Sequence, residues 1–363
     1  MTGAEFVVAN APHTDQRTPL RWVLSHVRRH AWLVPIVLVG AFGNAALAGV
    51  VPVLIGRAFD ALQGPVPDTA AVARIALWVA LSQAVRAVLQ LGRNFGSELI
   101  GQRLERDARD ELYASLLGKS MAFHSSQPVG DTMARATNDV REVNLMLNPG
   151  VNLVVGSANF LVIPLLYAPR YHPQLLAAPL AFIVLYFWAL RRYLRTLDPI
   201  TAEARATFGD LNACLAEAID GIEVVKSAAQ EAAEAGRFRR LAEAYRAAFV
   251  AQGHEEARFL PLLLLGLTTG FGFVHALTLH QHGLLSVGDV VGYMSLLGMF
   301  GFPTFMSLFA YSQVSSGLAS AGRILEIIRS PTELDENPGG HRGVVTGHIE
   351  FRDVSFRYLP DVP

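Results

Sequence analysis

Six apolar stretches, separated by polar chain, decide what this sequence can fold into. They run Ala31–Leu62, punctuated by Gly40, Gly43, Gly49 and Pro52, then Ala70–Leu91, Val143–Ala168, Leu175–Leu190, Phe259–Leu279 and Val287–Ala310. A helix needs about 20 apolar residues to cross the hydrocarbon core of a bilayer, and the fourth stretch falls short of that by itself. Only 17% of the chain is charged, against about 25% in a soluble domain. The expected class is therefore an all-α membrane protein with six transmembrane helices.

Short polar links at Gly64–Asp68, Pro169–Pro173 and His280–Ser286 join spans one to two, three to four and five to six. The connections at the other end are long: Gly92–Glu142 and Arg191–Arg258, both charged and poor in Gly and Pro. Phe208, Leu211, Leu215, Ala218, Ile222 and Val225 are spaced three and four apart, a seam for helix packing. The membrane helices are thus expected to continue into water; the ~27 residues from Gly92 to Gly118 would project roughly 40 Å. Arginines at 103, 106, 109, 135, 141, 191, 192, 195, 237, 239 and 240 lie on this side, against Arg57 and Arg170 in the short links. The positive-inside rule then puts the extensions and both termini in the cytoplasm.

The polar first 17 residues lack the apolar core of a signal peptide. Thr18–His30 places Leu20, Val23, Leu24 and Val27 on one face, which suits a helix lying on the membrane surface. A net charge of −1 gives no support to nucleic-acid binding. The one cysteine, Cys214, excludes an intrachain disulfide and a cysteine metal site. His280 and His282 sit in a short link without nearby carboxylates, so they are read as loop residues, with no metal expected. Small-residue pairs Gly92/Gly96, Gly266/Gly270 and Gly288/Gly292 allow close helix approach. Pro261 and Pro303 are candidate kinks in spans five and six.

Polar groups in bilayer are costly and turn toward a bundle interior or a cavity. Gln83, Arg86, Gln90 and Arg93 fall at spacings of three, four and three, on one face of span two. They form either a polar wall of a translocation path, meeting an anionic or zwitterionic headgroup, or a structural set of interhelical bonds near the inner mouth. Asn44, Asn152, Asn159, His275 and Gln313 are weaker candidates of the same kind. Gly118-Lys119-Ser120 imitates the end of a phosphate-binding loop, but Tyr113 stands where the first glycine is required, so it is rejected.

Beyond the sixth span, Gly347–Tyr358 alternates apolar and polar residues, with one interruption around Asp353, and reads as a β-strand. Four stretches then carry a resemblance: Phe123–Asp131 continuing through Arg135 to Asn138-Asp139-Val140; Gly221–Lys226 with Gln230-Glu231 and Arg237-Phe238; Ser316–Ile328, with Ala319–Ile324 in it; and Gly347–Tyr358. Taken in order they resemble a half-transporter of the ATP-binding cassette exporter family. The resemblance implies a six-helix transmembrane domain over 31–329, preceded by an N-terminal segment at 1–17 and a surface helix at 18–30. It also implies a linker at 330–346 and the start of a nucleotide-binding domain at 347–363.

By that resemblance, Tyr358 stacks on the adenine of ATP, and ATP with Mg²⁺ serves the full-length protein, neither being expected to bind this stretch tightly. Coupling helices fall at Ser120–Gln127 and Ser227–Ala235, with Met121, Phe123, His124, Ala228, Gln230 and Glu231 meeting the nucleotide-binding domain in cis. A second half-transporter and membrane lipids are the remaining partners, in a bacterial cytoplasmic membrane. The implied function is the membrane half of an exporter for a lipid-like, drug-like or peptide-like substrate. No catalytic residue is assigned, and the chain alone is not expected to hydrolyse ATP, because the phosphate loop, magnesium carboxylate and signature sequence of the family are not in it. The alternative is a truncated or ATPase-dead membrane scaffold.

Overall fold

The computed structural model describes residues 14–63, 66–331 and 347–355, and nearly all of them are helical. In chain order the helices are α1 (Pro19–Arg29), α2 (Val34–Gln63), α3 (Thr69–Leu117), α4 (Met121–Ser126), α5 (Val129–Ala134), α6 (Val140–Leu145) and α7 (Asn152–Tyr171). They continue with α8 (Ala177–Asp220), α9 (Ile222–Ser227), α10 (Glu231–Ala257), α11 (Leu260–Gln281), α12 (Val287–Gly298) and α13 (Gly301–Arg329). π-Helical turns at Arg135–Asp139 and Met146–Val151 carry α5 through α6 into α7, with a kink at Asn148.

Among the described residues, six stretches are long and apolar enough to cross a membrane: Ala31–Gln63, Thr69–Leu117, Val129–Tyr171, Pro173–Asp220, Glu231–Gln281 and Val287–Arg329. The protein is a multi-pass membrane protein. With 49 and 44 residues, α3 and α8 reach roughly 74 and 66 Å, over twice the hydrocarbon thickness of about 30 Å. The fourth apolar stretch is short because α8 runs unbroken from membrane into its extension. The overhangs form two hairpins at one end of the bundle, α3 with α5–α6 and α8 with α10.

Two hydrophobic cores hold the bundle. One unites spans three to six around Phe182, Tyr186, Tyr293, Leu296, Leu297 and Phe300. The other lies at the extension end, where Trp22 and Val23 of α1 pack with Leu104 and Leu112 of α3, Val143 of α6 and Ile324 of α13. The inward face of α1 is therefore Trp22, Val23 and His26, while Leu20 and Leu24 stay exposed. Below Trp22, Glu111 of α3 takes four bonds: Oε1 accepts from Thr14 Oγ1 and Gln16 Nε2, and Oε2 from Trp22 Nε1, with His26 Nε2 at 3.0 Å. One turn away, Asp107 faces His30 Nε2 at 3.2 Å.

The small-residue pairs separate into two kinds. A Cβ on Gly288 would collide with the backbone oxygen of Gly56, and one on Gly292 would lie 2.9 Å from Pro52 O, so α12 and α2 touch backbone to backbone. Asp60 of α2 completes that contact by accepting from Gly288 N at 2.9 Å and Ser286 Oγ at 2.8 Å. Gly96 packs on Val37, whereas Gly266 and Gly270 face open space. Pro261 and Pro303 sit in the first turns of α11 and α13, just after breaks at Arg258–Phe259 and Met299–Phe300. Pro261 thus starts α11, as a residue without an N–H is suited to do, whereas Met299 and Phe300 keep right-handed helical dihedrals, so Pro303 follows a local interruption within one long helix.

Two expectations are corrected. The packing seam of α8 is only partly covered: Leu215 and Ile222 are each 45% exposed, while Cys214 beside them is buried. A lone pair of helices shields one narrow strip, and no residue of α10 is itself buried. Residues 347–355 form no strand, and Ile349, Phe351 and Val354 are exposed. A strand needs a neighbour for its ladder bonds, and Asp353 takes a left-handed φ of 50° where the alternation breaks. Tyr358 lies outside the described residues.

The glycine contacts predict that Gly288→Ala lowers the unfolding free energy by about 1–3 kcal/mol through overpacking. Gly266→Ala, by contrast, should be neutral or stabilising by up to about 1 kcal/mol; denaturation in detergent compares the two. Burial pushes the Glu111 carboxyl up, but bonds from His26, Thr14, Trp22 and Gln16 outweigh it, so Glu111 titrates below its ordinary 4.5. A carboxyl depressed on folding contributes its stability above the unfolded value and loses it as pH falls through the folded one. Thermal midpoints should therefore drop in acid below about 4.5, and Glu111→Gln should be less stable at neutral pH with a shallower acid decline.

Candidate functional site

The polar face of span two becomes a hydrogen-bonded ladder on α3. At its foot Arg93, 5% exposed, donates from Nε to Asn152 Oδ1 at 2.7 Å and from Nη2 to Asn152 O at 2.6 Å. Small residues make room for it: Gly40 of α2 lies against its Cβ, and Gly156 of α7 against its guanidinium. Arg93 thus bolts α3 to α7 with α2 alongside. Its Nη1 also lies 3.5 Å from Gln90 Oε1.

Gln90 Oε1 accepts from Asn44 Nδ2 of α2 at 2.7 Å, and Gln90 Nε2 donates to Asn94 Oδ1 at 3.0 Å. Higher up, Arg86 donates from Nε to Asn44 Oδ1 at 3.4 Å and from Nη1 to Gln83 Oε1 at 3.2 Å. Arg86, Gln83 and Gln90 are half-buried, whereas Leu81, Val85 and Val88 around them are exposed. Among the described residues, no carboxylate pairs with Arg86 or Arg93. Their charges rest on neutral amides and one main-chain oxygen.

The ladder continues toward the extension end through residues the sequence reading did not assign. Asn152 Nδ2 donates to Asn148 Oδ1 at 3.2 Å, and Glu98 accepts from Asn148 Nδ2 and Gln102 Nε2. Asn94, Glu98 and Gln102 lie four apart on α3, in continuation of the stripe, and that spacing is the signal that could have found them. Of the weaker candidates, Asn44 and Asn152 belong to the ladder. Asn159 donates to Val155 O of its own helix, and Gln313 of α13 packs on Gly150. His280 Nδ1 lies 2.8 Å from Leu285 O and His282 Nδ1 2.6 Å from Thr278 O, so both imidazoles tie down their link.

The other expected site residues cluster at the hairpin tips. Met121 and His124 of α4 are exposed, and Phe123 turns inward onto the Trp22 core. At the second tip the short helix is Ile222–Ser227, ahead of the expected 227–235. Gly221 ends α8, and Ala229, with φ 54°, ends α9 before α10 starts at Glu231. Ala228, Gln230 and Glu231 are exposed around this turn.

A family profile described as the ABC transporter transmembrane region matches residues 34–304. The chain belongs to that family. A solved bacterial Atm1-family ABC exporter with ATP bound superposes with a TM-score of 0.64 over 88% of this chain and 56% of its own, at 21% identity, and shows the exporter fold. The lipid A-core flippase of Aromatoleum aromaticum is 27% identical over 96% of this chain and 59% of its own length. A fatty acid ABC transporter ATP-binding/permease protein of Mycobacterium tuberculosis is 28% identical over 82% and 47%. The chain spans about half the length of the curated relatives it matches.

The two arginines of this ABC transporter region should separate by experiment. Arg93→Met strands Asn152 in a buried site and should cost about 1–3 kcal/mol. Arg86→Met should stay within about 0.5 kcal/mol, as read by thermal unfolding in detergent.

Proposed function

We propose that this chain is the membrane half of an ATP-driven exporter that moves an amphipathic, lipid-like substrate by alternating access as a dimer. One observation carries the reading: the half-buried face Gln83–Arg86–Gln90 sits on a helix long and apolar enough to cross a membrane, with a cation that no carboxylate pairs among the described residues. Such a face is too costly to leave in lipid. It needs water, a second subunit or a ligand, and a dimer enclosing a wet cavity supplies all three. The membrane part of α3 supports this, since only 6% of it is buried by the rest of the chain.

The substrate class follows from the same residue. Arg86 offers a positive charge between two amides, beside exposed Leu81, Val85 and Val88. This arrangement suits an anionic or zwitterionic headgroup on an apolar body. Relatives named for fatty acid and for lipid A-core agree in kind.

The long hairpins lie in the cytoplasm, a placement their arginines favour. The exposed turns at α4 and α9 meet nucleotide-binding domains of the whole protein, which uses ATP with Mg²⁺, and Tyr358 stacks on adenine there. Rigid hairpins suit this task because domain motion at their tips reaches the membrane without being absorbed on the way.

The full-length protein in proteoliposomes should translocate a fluorescent phospholipid or fatty acid when ATP is supplied, and vanadate should stop it. Arg86→Met should reduce transport of the anionic probe at least several-fold while folding stays intact. Transport driven by a proton gradient without ATP would overturn the reading.

A further inference from the structure

The tripeptide Gly118-Lys119-Ser120, which imitates a phosphate loop, has another use at the joint between α3 and α4. Gly118 caps the C-terminus of α3. Ser120, almost fully buried, caps α4 by accepting from Phe123 N at 3.2 Å. Lys119 reaches across to a different helix. Its Nζ donates to Ile328 O at 3.1 Å in the last turn of α13 and to O of Ser330, the residue that caps that helix. The same ammonium stands 5.8 Å from the centre of the Phe123 ring in α4.

The chemistry suits a lysine. The final carbonyls of a helix lack intrahelical partners and carry the negative end of its dipole. An ammonium has three donors on a compact head, enough for two carbonyls with charge left to face an aromatic ring. Burial alone pulls the Lys119 ammonium below its ordinary value, while the two carbonyls and the ring favour its charged form. Lys119 is one of two lysines among 30 basic residues. Other contacts also hold α13: Ser115 Oγ of α3 reaches Ile328 O at 3.5 Å, and from the turn between α5 and α6 Asp139 pairs with Arg323 while Arg135 donates to Arg323 O at 2.8 Å.

We propose that Lys119 is a positioning residue that joins the first coupling helix α4 to the exit of α13, so that the two move as one body. The inference rests on the exporter reading above. Displacement of α4 by the nucleotide-binding domain is then passed directly to the sixth span, and α13 in turn holds the start of the downstream linker in register with α4.

The test uses the full-length protein in lipid nanodiscs with every native cysteine, Cys214 included, replaced by alanine and spin labels at Ser125→Cys and Arg329→Cys. The distance between them should be narrowly distributed and unchanged by ATP with vanadate, while a label at Leu284→Cys reports a copy-to-copy change on trapping. Lys119→Met should broaden the 125–329 distribution and shrink the change seen at position 284, and Lys119→Arg should restore both. If Lys119→Met fails to fold, Lys119→Gln, which keeps one N–H donor pair, is expected to give an intermediate width. A distribution in the Met or Gln variant identical to the parent, with the change at 284 intact, overturns the inference alone. A parent that shows no ATP-dependent change at 284 overturns the exporter reading and the inference with it.

Discussion

A guanidinium buried between membrane helices must find oxygen, and the membrane half of this protein is arranged around how Arg93 does so. The side chain and the main-chain carbonyl of one residue, Asn152, both accept from it. Fixing both groups fixes the rotation and the depth of α7 against α3. The closeness this demands is possible only because Gly40 and Gly156 leave space around the arginine. Neutral amides carry the charge, and amides can donate as well as accept, so the order propagates. Asn44, Gln90 and Gln83 are aligned in turn, and Arg86 is held at the top of a ladder whose foot cannot move.

The extension end solves a different problem with a similar device. There is no lipid to enforce helix contact, and the overhanging hairpins would otherwise be two-helix pairs with one thin seam each. The first hairpin gains a third and a fourth member, α1 and α13, which close a core around Trp22. Glu111 and Asp107 lock α1 on one side, and the Asp139–Arg323 pair holds α13 on the other. The second hairpin has only α8 and α10, and its apolar residues remain half uncovered. The two hairpin tips therefore rest on supports of unequal stiffness within one chain.

Much of this was legible in the residues. The six spans, the long extensions and the polar face of α3 follow from hydropathy and a spacing of three and four. The division of that face could not be read, because Arg86 and Arg93 look alike until Asn152 and two glycines from other helices are placed beside one of them. Pairs of glycines four apart were equally opaque: Gly288 and Gly292 press on α2, whereas Gly266 and Gly270 meet nothing. Local spacing names a surface but not its neighbour. The second short helix begins ahead of the expected 227–235 for a related reason. A glycine and one left-handed alanine set its limits, and alanine gives no warning of that conformation. The strand read at Gly347–Tyr358 was a statement about side chains, while a ladder depends on a second strand.

The break at Met299–Phe300 divides the sixth span into arms of 12 and 29 residues. The shorter arm is pinned to α2 through Gly288, Gly292 and Asp60, and the longer one carries the Trp22 core at its far end, where Asp139 holds Arg323. At roughly 43 Å long, it converts a rotation of about 5° at the break into a displacement of about 4 Å at its tip. The sixth helix is thus a lever with a fixed short end, and its mechanical advantage is set by where the helix is interrupted.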